Sequence, residues 1–186
     1  MPAPEGTEEP DPPLVRVHAD FHEEFPDASG SATECFLNLG YVATSMLSAL
    51  NRLLGSAGVP SYRAFNALTV LAGADHPLPP SVVADHMVVT RPRVSGILDS
   101  LERRDLITRA PHGSDGRMRL VALTDRGREV VGQVLPEVHR FEARLFEVLA
   151  PGQQAGLLEM LALLADRLAS MDPDRDGPST GRAGGP

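Results

Sequence analysis

The 186-residue chain contains no lysine, and all 17 of its basic side chains are arginine. That absence matches a bias toward GC-rich codons and by itself excludes no function. A single cysteine, Cys35, excludes an intramolecular disulfide and any cysteine-rich zinc cluster. No apolar run approaches the roughly 18 residues needed to cross a bilayer, so no membrane partner is expected. The first thirteen residues are acidic and proline-rich, which is not the pattern of a secretory signal, and the expected compartment is the cytoplasm. There is no internal repeat. A phosphate-binding glycine loop, a Ser/His/Asp arrangement and a framed pair of acids are all missing, so the chain is not expected to be an enzyme. The six histidines are scattered. His18 and His22 could share a helix face, but no third ligand stands near them, so neither metal nor cofactor is expected.

What is present describes a globular domain with tails. Hydrophobic residues make up 42% and charged residues 23%, enough for a core at this length. The net charge of −8 argues against a polyanionic partner, but it is unevenly spread. Between Arg91 and Arg128 there are 9 arginines against 5 acids, a balance of +4; elsewhere 8 arginines face 20 acids, a balance of −12. A local basic patch is what a polyanion feels.

Periodicity orders the chain. A short helix is expected from Pro13 to Phe25, with Pro26 stopping it. From about Ser31 to Leu54 apolar residues recur at threes and fours through Phe36, Leu39, Ala43, Met46, Leu50 and Leu54, an amphipathic helix. Ser61 caps a second helix with Phe65, Leu68 and Leu71 inward. Leu78 suits a short extended segment, and a brief helix follows over Ser81–His86. After a break at Met87–Val89, Pro92 fits the first position of another helix, with Arg91 at its cap. Val94, Ile97, Leu98 and Leu101 make one buried stripe. Pro92, Gly96, Asp99 and Arg103 fall on the opposite face, flanked by Arg93, Ser95 and Ser100, and Asp99 and Arg103 form a favourable i,i+4 pair. Leu106–Ala110 and Leu120–Leu123 read as strands around a polar turn, a β-hairpin. Thr124–Asp125 start a long helix that Pro136 should kink, and Pro151–Gly152 break the chain before a last leucine-rich helix.

Helix, helix, short break, arginine-bearing helix and then a hairpin is the order of a winged helix-turn-helix. A helix fits the major groove with its N-terminal side chains at base edges, and a hairpin tip can lay an arginine into the neighbouring minor groove.

The run Leu101-Glu102-Arg103-Arg104-Asp105-Leu106-Ile107-Thr108-Arg109, then Asp115-Gly116-Arg117, then Leu123-Thr124-Asp125-Arg126-Gly127, resembles the MarR family pattern "LE-x-x-GL-x-x-R … D-x-R … LT-x-x-G". The resemblance covers about Phe36 to Leu168. It implies dimeric winged-helix transcription factors, usually repressors released by small ligands or oxidants. It also implies that Arg117 is the wing arginine, that Asp115 braces it, and that Arg93, Ser95 and Gly96 read the major groove. Asp105 stands where the family usually has glycine, so a different helix exit is expected there. Pro92 in the reading helix is also unusual for the family.

The resulting expectation is a mostly α protein with a small β-hairpin wing, dimerising through N- and C-terminal helices. An N-terminal extension, partly disordered, occupies 1–30. The helical dimerisation region is 31–60 with 125–171, the DNA-binding domain is 61–124, and 172–186 is a disordered tail. The DNA-contact candidates are Arg91, Arg93, Ser95, Gly96, Ser100, Arg103, Asp115 and Arg117. Arg103 and Arg104 either touch phosphate or pair with Asp99, Glu102 or Asp105. Tyr41, Met46, Tyr62 and Phe65 are candidates for an effector pocket. The function expected is a ligand-responsive dimeric regulator, a repressor by family habit, on palindromic duplex DNA. Two alternatives stand beside it: a hydroperoxide sensor of the same fold acting through Cys35, and a winged-helix interaction module without DNA binding.

Overall fold

The computed structural model describes residues 14–87, 91–112 and 115–171. Seven helices and one hairpin follow in order among them: α1 (Phe21–Glu24), α2 (Gly30–Ser56), α3 (Tyr62–Ala72), α4 (Pro80–Met87), α5 (Arg91–Glu102), β1 (Ile107–His112), β2 (Asp115–Leu123), α6 (Asp125–Phe146) and α7 (Pro151–Ser170). The chain forms two compact units that divide at Val138/His139, inside α6. No single helix among the described residues is long and apolar enough to cross a membrane.

The first unit holds the core. Leu54 of α2, Leu68 of α3, Val83 of α4, and Val94, Leu98 and Leu101 of α5 are buried, with Leu106, Ile107, Val121 and Val138. Each such side chain contributes about 1.5–3 kcal/mol through burial. Local chemistry sets the helix starts. The Ser29 hydroxyl accepts the Ala32 N–H at the head of α2, and the Ser61 hydroxyl accepts the Ala64 N–H at the head of α3. Asn51 of α2 accepts the Tyr62 N–H at 2.7 Å, fixing the corner between the two helices.

The hairpin is longer than the sequence suggests, because backbone pairing runs on from Ile107↔Leu123 to Pro111↔Arg119. Leu78 adds a third, one-residue rung. Its N–H and C=O exchange bonds with Val121 at 2.9 and 2.8 Å, which pairs the outer edge of β2.

The expected helix over 13–25 is corrected to a single turn, Phe21–Glu24. Side chains of α2 claim the backbone ahead of it. Asn38 accepts the Val15 N–H at 2.7 Å and donates to the Val15 carbonyl at 2.9 Å. The Glu34 carboxylate accepts the Val17 N–H and an Arg16 N–H, both at 3.0 Å. Residues 15–17 are therefore an extended strap on α2, since backbone groups held by another element cannot close a helical turn.

The second unit comprises the end of α6 and α7. Pro151 opens α7, the Gln153 amide oxygen accepts the Ala150 N–H at 2.8 Å, and Gln154 donates to the Phe146 and Leu149 carbonyls. α7 buries no residue; Leu158, Leu163 and Leu168 are each about 70% exposed.

Candidate nucleic-acid interface

The reading helix is built as its stripe requires. Val94, Leu98 and Leu101 are buried and Ile97 is half-buried, so the opposite face of α5 is turned outward. Arg93, Ser95 and Gly96 are exposed on its first two turns, and Ser100 is half-buried on the third. Gly96 has open space where a Cβ would stand, so a backbone could approach closely there. Arg91 belongs to α5, but its side chain and that of Pro92 lie outside the described residues, as do those of Asp115 and Arg117 on β2. Of the break expected at Met87–Val89, Met87 instead closes α4, and the other two residues lie outside the described ones.

The expected Asp99–Arg103 pair is replaced. Asp99 pairs instead with Arg109 of β1 at 2.7 Å, and Glu102 meets the same guanidinium at 3.4 Å. Arg109 is largely buried, and its Nε has no hydrogen-bond partner among the described residues. A buried guanidinium has two adjacent carboxylates to satisfy, whereas an exposed Arg103 gains little from either. The consequence reaches the interface. Asp99 and Glu102 are the only acids of α5, and both share the single positive charge of Arg109 on the wing strand, which offsets half of theirs. The uncompensated charge left on the helix is basic. Reading the sequence for contacts missed Arg109, although it stands in the quoted motif as the arginine after the helix exit. Arg119, exposed on β2 two residues from Arg117, was also missed as a wing cation.

The turn from α5 into the wing is fixed by three residues. Asp105 adopts a left-handed conformation, φ 57°, the one glycine takes most readily, in place of an exit that avoids it. Thr124 donates its hydroxyl to the Asp105 carbonyl at 2.7 Å and its N–H to the Leu106 carbonyl, while its oxygen caps the Gly127 N–H at 2.9 Å. A Cβ on Gly127 would overlap the Leu106 carbonyl oxygen. The glycine is there because the first turn of α6 lies against that backbone.

The candidate effector residues differ in burial. Phe65 is core, Met46 and Tyr62 are half-buried, and Tyr41 is half-exposed. A cleft of about 430 Å³ lies elsewhere in the first unit, walled by Leu71, Val121, Leu123 and Val131, with His76 and Arg128 at its lining. Cys35 is exposed on α2. No cluster of metal-ligating side chains occurs among the described residues.

A helix bearing outward arginine, packed on two others and followed directly by a paired hairpin, defines a winged helix-turn-helix protein. Residues 60–118 match the MarR family. The transcriptional repressor MprA of Escherichia coli (strain K12) is 25% identical over 161 residues, 87% of this chain and 90% of that protein. Sco3205 of Streptomyces coelicolor, a MarR family transcriptional regulator solved in complex with DNA, aligns at 28% identity and a TM-score of 0.64, covering 74% of this chain and 88% of that one. PcaV of the same organism, solved with its natural ligand, shares the fold at 23% identity and a TM-score of 0.58, covering 68% and 91%. The chain thus carries a MarR family match over its winged-helix segment and is similar over most of its length to MarR-type transcriptional regulators.

Proposed function

We propose that the protein binds duplex DNA as a homodimer and represses transcription from a palindromic operator in the cytoplasm. The observation that carries this reading is the outward face of α5, with Arg93, Ser95 and Gly96 near its N-terminal end and its two acids both paired with Arg109. Side chains at that end reach base edges in a major groove, and the hairpin that follows reaches the adjacent minor groove. Arg91, Ser100, Asp115 and Arg117 belong to the same proposed surface. MprA is a repressor and Sco3205 was solved on DNA, which supports the assignment.

Dimerisation is supported by apolar surface that a lone subunit leaves in water. Phe36 on α2 is 78% exposed, with Leu39 and Val42 about half exposed, and α7 presents Leu158, Leu163 and Leu168. Such faces are covered in the functional state. A two-fold dimer places its reading helices about one turn of DNA apart, roughly 34 Å, hence the palindrome. Release by a small molecule is proposed in line with PcaV, whose ligand complex has this fold, with Tyr41, Met46, Tyr62 and Phe65 as the seat at the dimer helices.

Selection of bound sequences from random duplex DNA tests the reading. An enriched inverted repeat, bound by a dimer with affinity that falls steeply as salt rises, is the expected result. Salt-indifferent or absent duplex binding by a folded protein would favour an interaction module instead.

A further inference from the structure

We propose a second, separate anion site: a hollow of about 320 Å³ at the far end of α5 that takes a small phosphorylated molecule. Arg103, Arg104 and Arg126 line it, together with Gly58, Asp105 and Leu106. Three segments meet here: the end of α2, the exit of α5 and the first turn of α6.

The three arginines differ from their neighbours. Arg109 is held by Asp99 and Glu102, and Arg128 by Asp125 and the Leu123 carbonyl. Arg103, Arg104 and Arg126 have no ion pair and no side-chain hydrogen bond among the described residues. Against their three charges the hollow holds one acid, Asp105. Like charges gathered in one concavity repel, and an anion between them turns that cost into attraction. Arg103 and Arg104 follow the C-terminus of α5, where a cation complements the helix dipole. Arg126 does not have that excuse. It stands on the first turn of α6, the end at which the dipole disfavours a cation.

The chemistry points to phosphate. Several arginines lining one hollow can meet the oxygens of a phosphate or pyrophosphate group with charge-assisted hydrogen bonds. The volume is at the lower end for ligand pockets, roughly 300–1,000 Å³, which suits a compact ligand. The hollow is not an extension of the reading surface. Ten residues separate Arg93 from Arg103, about 15 Å along a helix axis. An occupant would tie the exit of α5 to α2 and α6, at the turn that leads into the wing.

The test uses the full chain without DNA and pyrophosphate as the probe. Thermal unfolding and calorimetry should show saturable binding that sodium chloride of equal ionic strength does not reproduce. Arg104→Gln or Arg126→Gln should weaken it about tenfold to a hundredfold, the worth of one charge-assisted contact. Arg52→Gln, an exposed arginine outside the hollow, should leave it unchanged. All three replacements are on exposed side chains, so folding is not at stake. Pyrophosphate binding no better than chloride overturns the proposal, as does equal binding by the Arg104 and Arg126 variants. A second arm measures the salt dependence of duplex binding. If those variants flatten it while pyrophosphate fails to bind, the arginines serve the DNA backbone and the small-ligand site is refuted. Because the first arm contains no DNA, its outcome is independent of the proposed function.

Discussion

The Arg109 guanidinium of the wing strand sits 2.7 Å from the Asp99 carboxylate of the reading helix. This contact joins the two parts of the fold proposed to meet DNA, α5 and the wing. It also offsets part of the negative charge that Asp99 and Glu102 bring to α5. We expect Arg109→Ala to lower stability by about 1–2 kcal/mol, between the values for exposed and buried pairs. Operator affinity should fall further than stability alone explains. Arg109→Lys should restore charge but not the two-carboxylate grip, giving partial recovery. Unfolding curves and operator titrations on both variants check this, and a neutral Arg109→Ala would remove the charge-offsetting role.

The glycine of the first α6 turn and the aspartate of the α5 exit should respond in opposite directions. Gly127→Ala forces a Cβ into the Leu106 carbonyl, and neither backbone can give way cheaply. A loss of about 3 kcal/mol or more is expected. Asp105→Gly relieves a left-handed residue at φ 57° and should add about 0.5–1 kcal/mol. Urea unfolding midpoints of the two variants give the signs directly.

Acid should release the N-terminal strap. The Val17 N–H, and then Arg16, hold the Glu34 carboxyl below its ordinary value. The ionised form is the one favoured, so docking is at full strength above the ordinary carboxylate range and fades as pH falls through the lowered value. Hydrogen-exchange protection of the Val15 and Val17 amides should be lost in that acidic window. Glu34→Gln should reduce the Val17 protection at neutral pH and abolish its dependence on pH. Protection that survives acid unchanged would mean the carboxylate does not hold the strap.

Arg93 and Arg117 should fail in different ways. Arg93→Ala should cost roughly 1–3 kcal/mol on the operator and flatten preference at one base position per half-site. Arg117→Ala should weaken operator and scrambled duplex more evenly and reduce the salt slope. Titrations of both variants on both duplexes at two salt concentrations make the comparison. Two indifferent variants would exclude this face of the molecule from DNA binding.

Cys35 is exposed on α2 and has no hydrogen-bond partner among the described residues. We expect Cys35→Ser to leave DNA affinity and ligand response unchanged. Release of the wild type, but not the serine variant, by micromolar hydroperoxide would instead establish a thiol sensor.

Much of this architecture is written in local pattern. The stripe Val94, Leu98 and Leu101 follows from helical periodicity, and these side chains are the ones the core buries. The caps at Ser61 and Thr124 are equally local, because a hydroxyl needs only the N–H groups of the next turn. Asp105 was less legible, because an aspartate where glycine is usual pointed to a different helix exit, yet it takes the left-handed turn itself. Partner choice across the chain was not legible in the same way. Spacing assigned Asp99 to Arg103, four residues on, but the fold brought Arg109 to it from a strand and buried that guanidinium between two acids. Spacing likewise wound residues 15–17 into a helix, while Asn38 and Glu34 of α2 hold them extended. The hollow lined by Arg103, Arg104 and Arg126 needed three separate elements to meet. Periodicity records which face of an element must leave water, since burial depends on each residue's own surface. Which charges and backbone groups face one another depends on elements distant in sequence, and only the packed tertiary structure decides it.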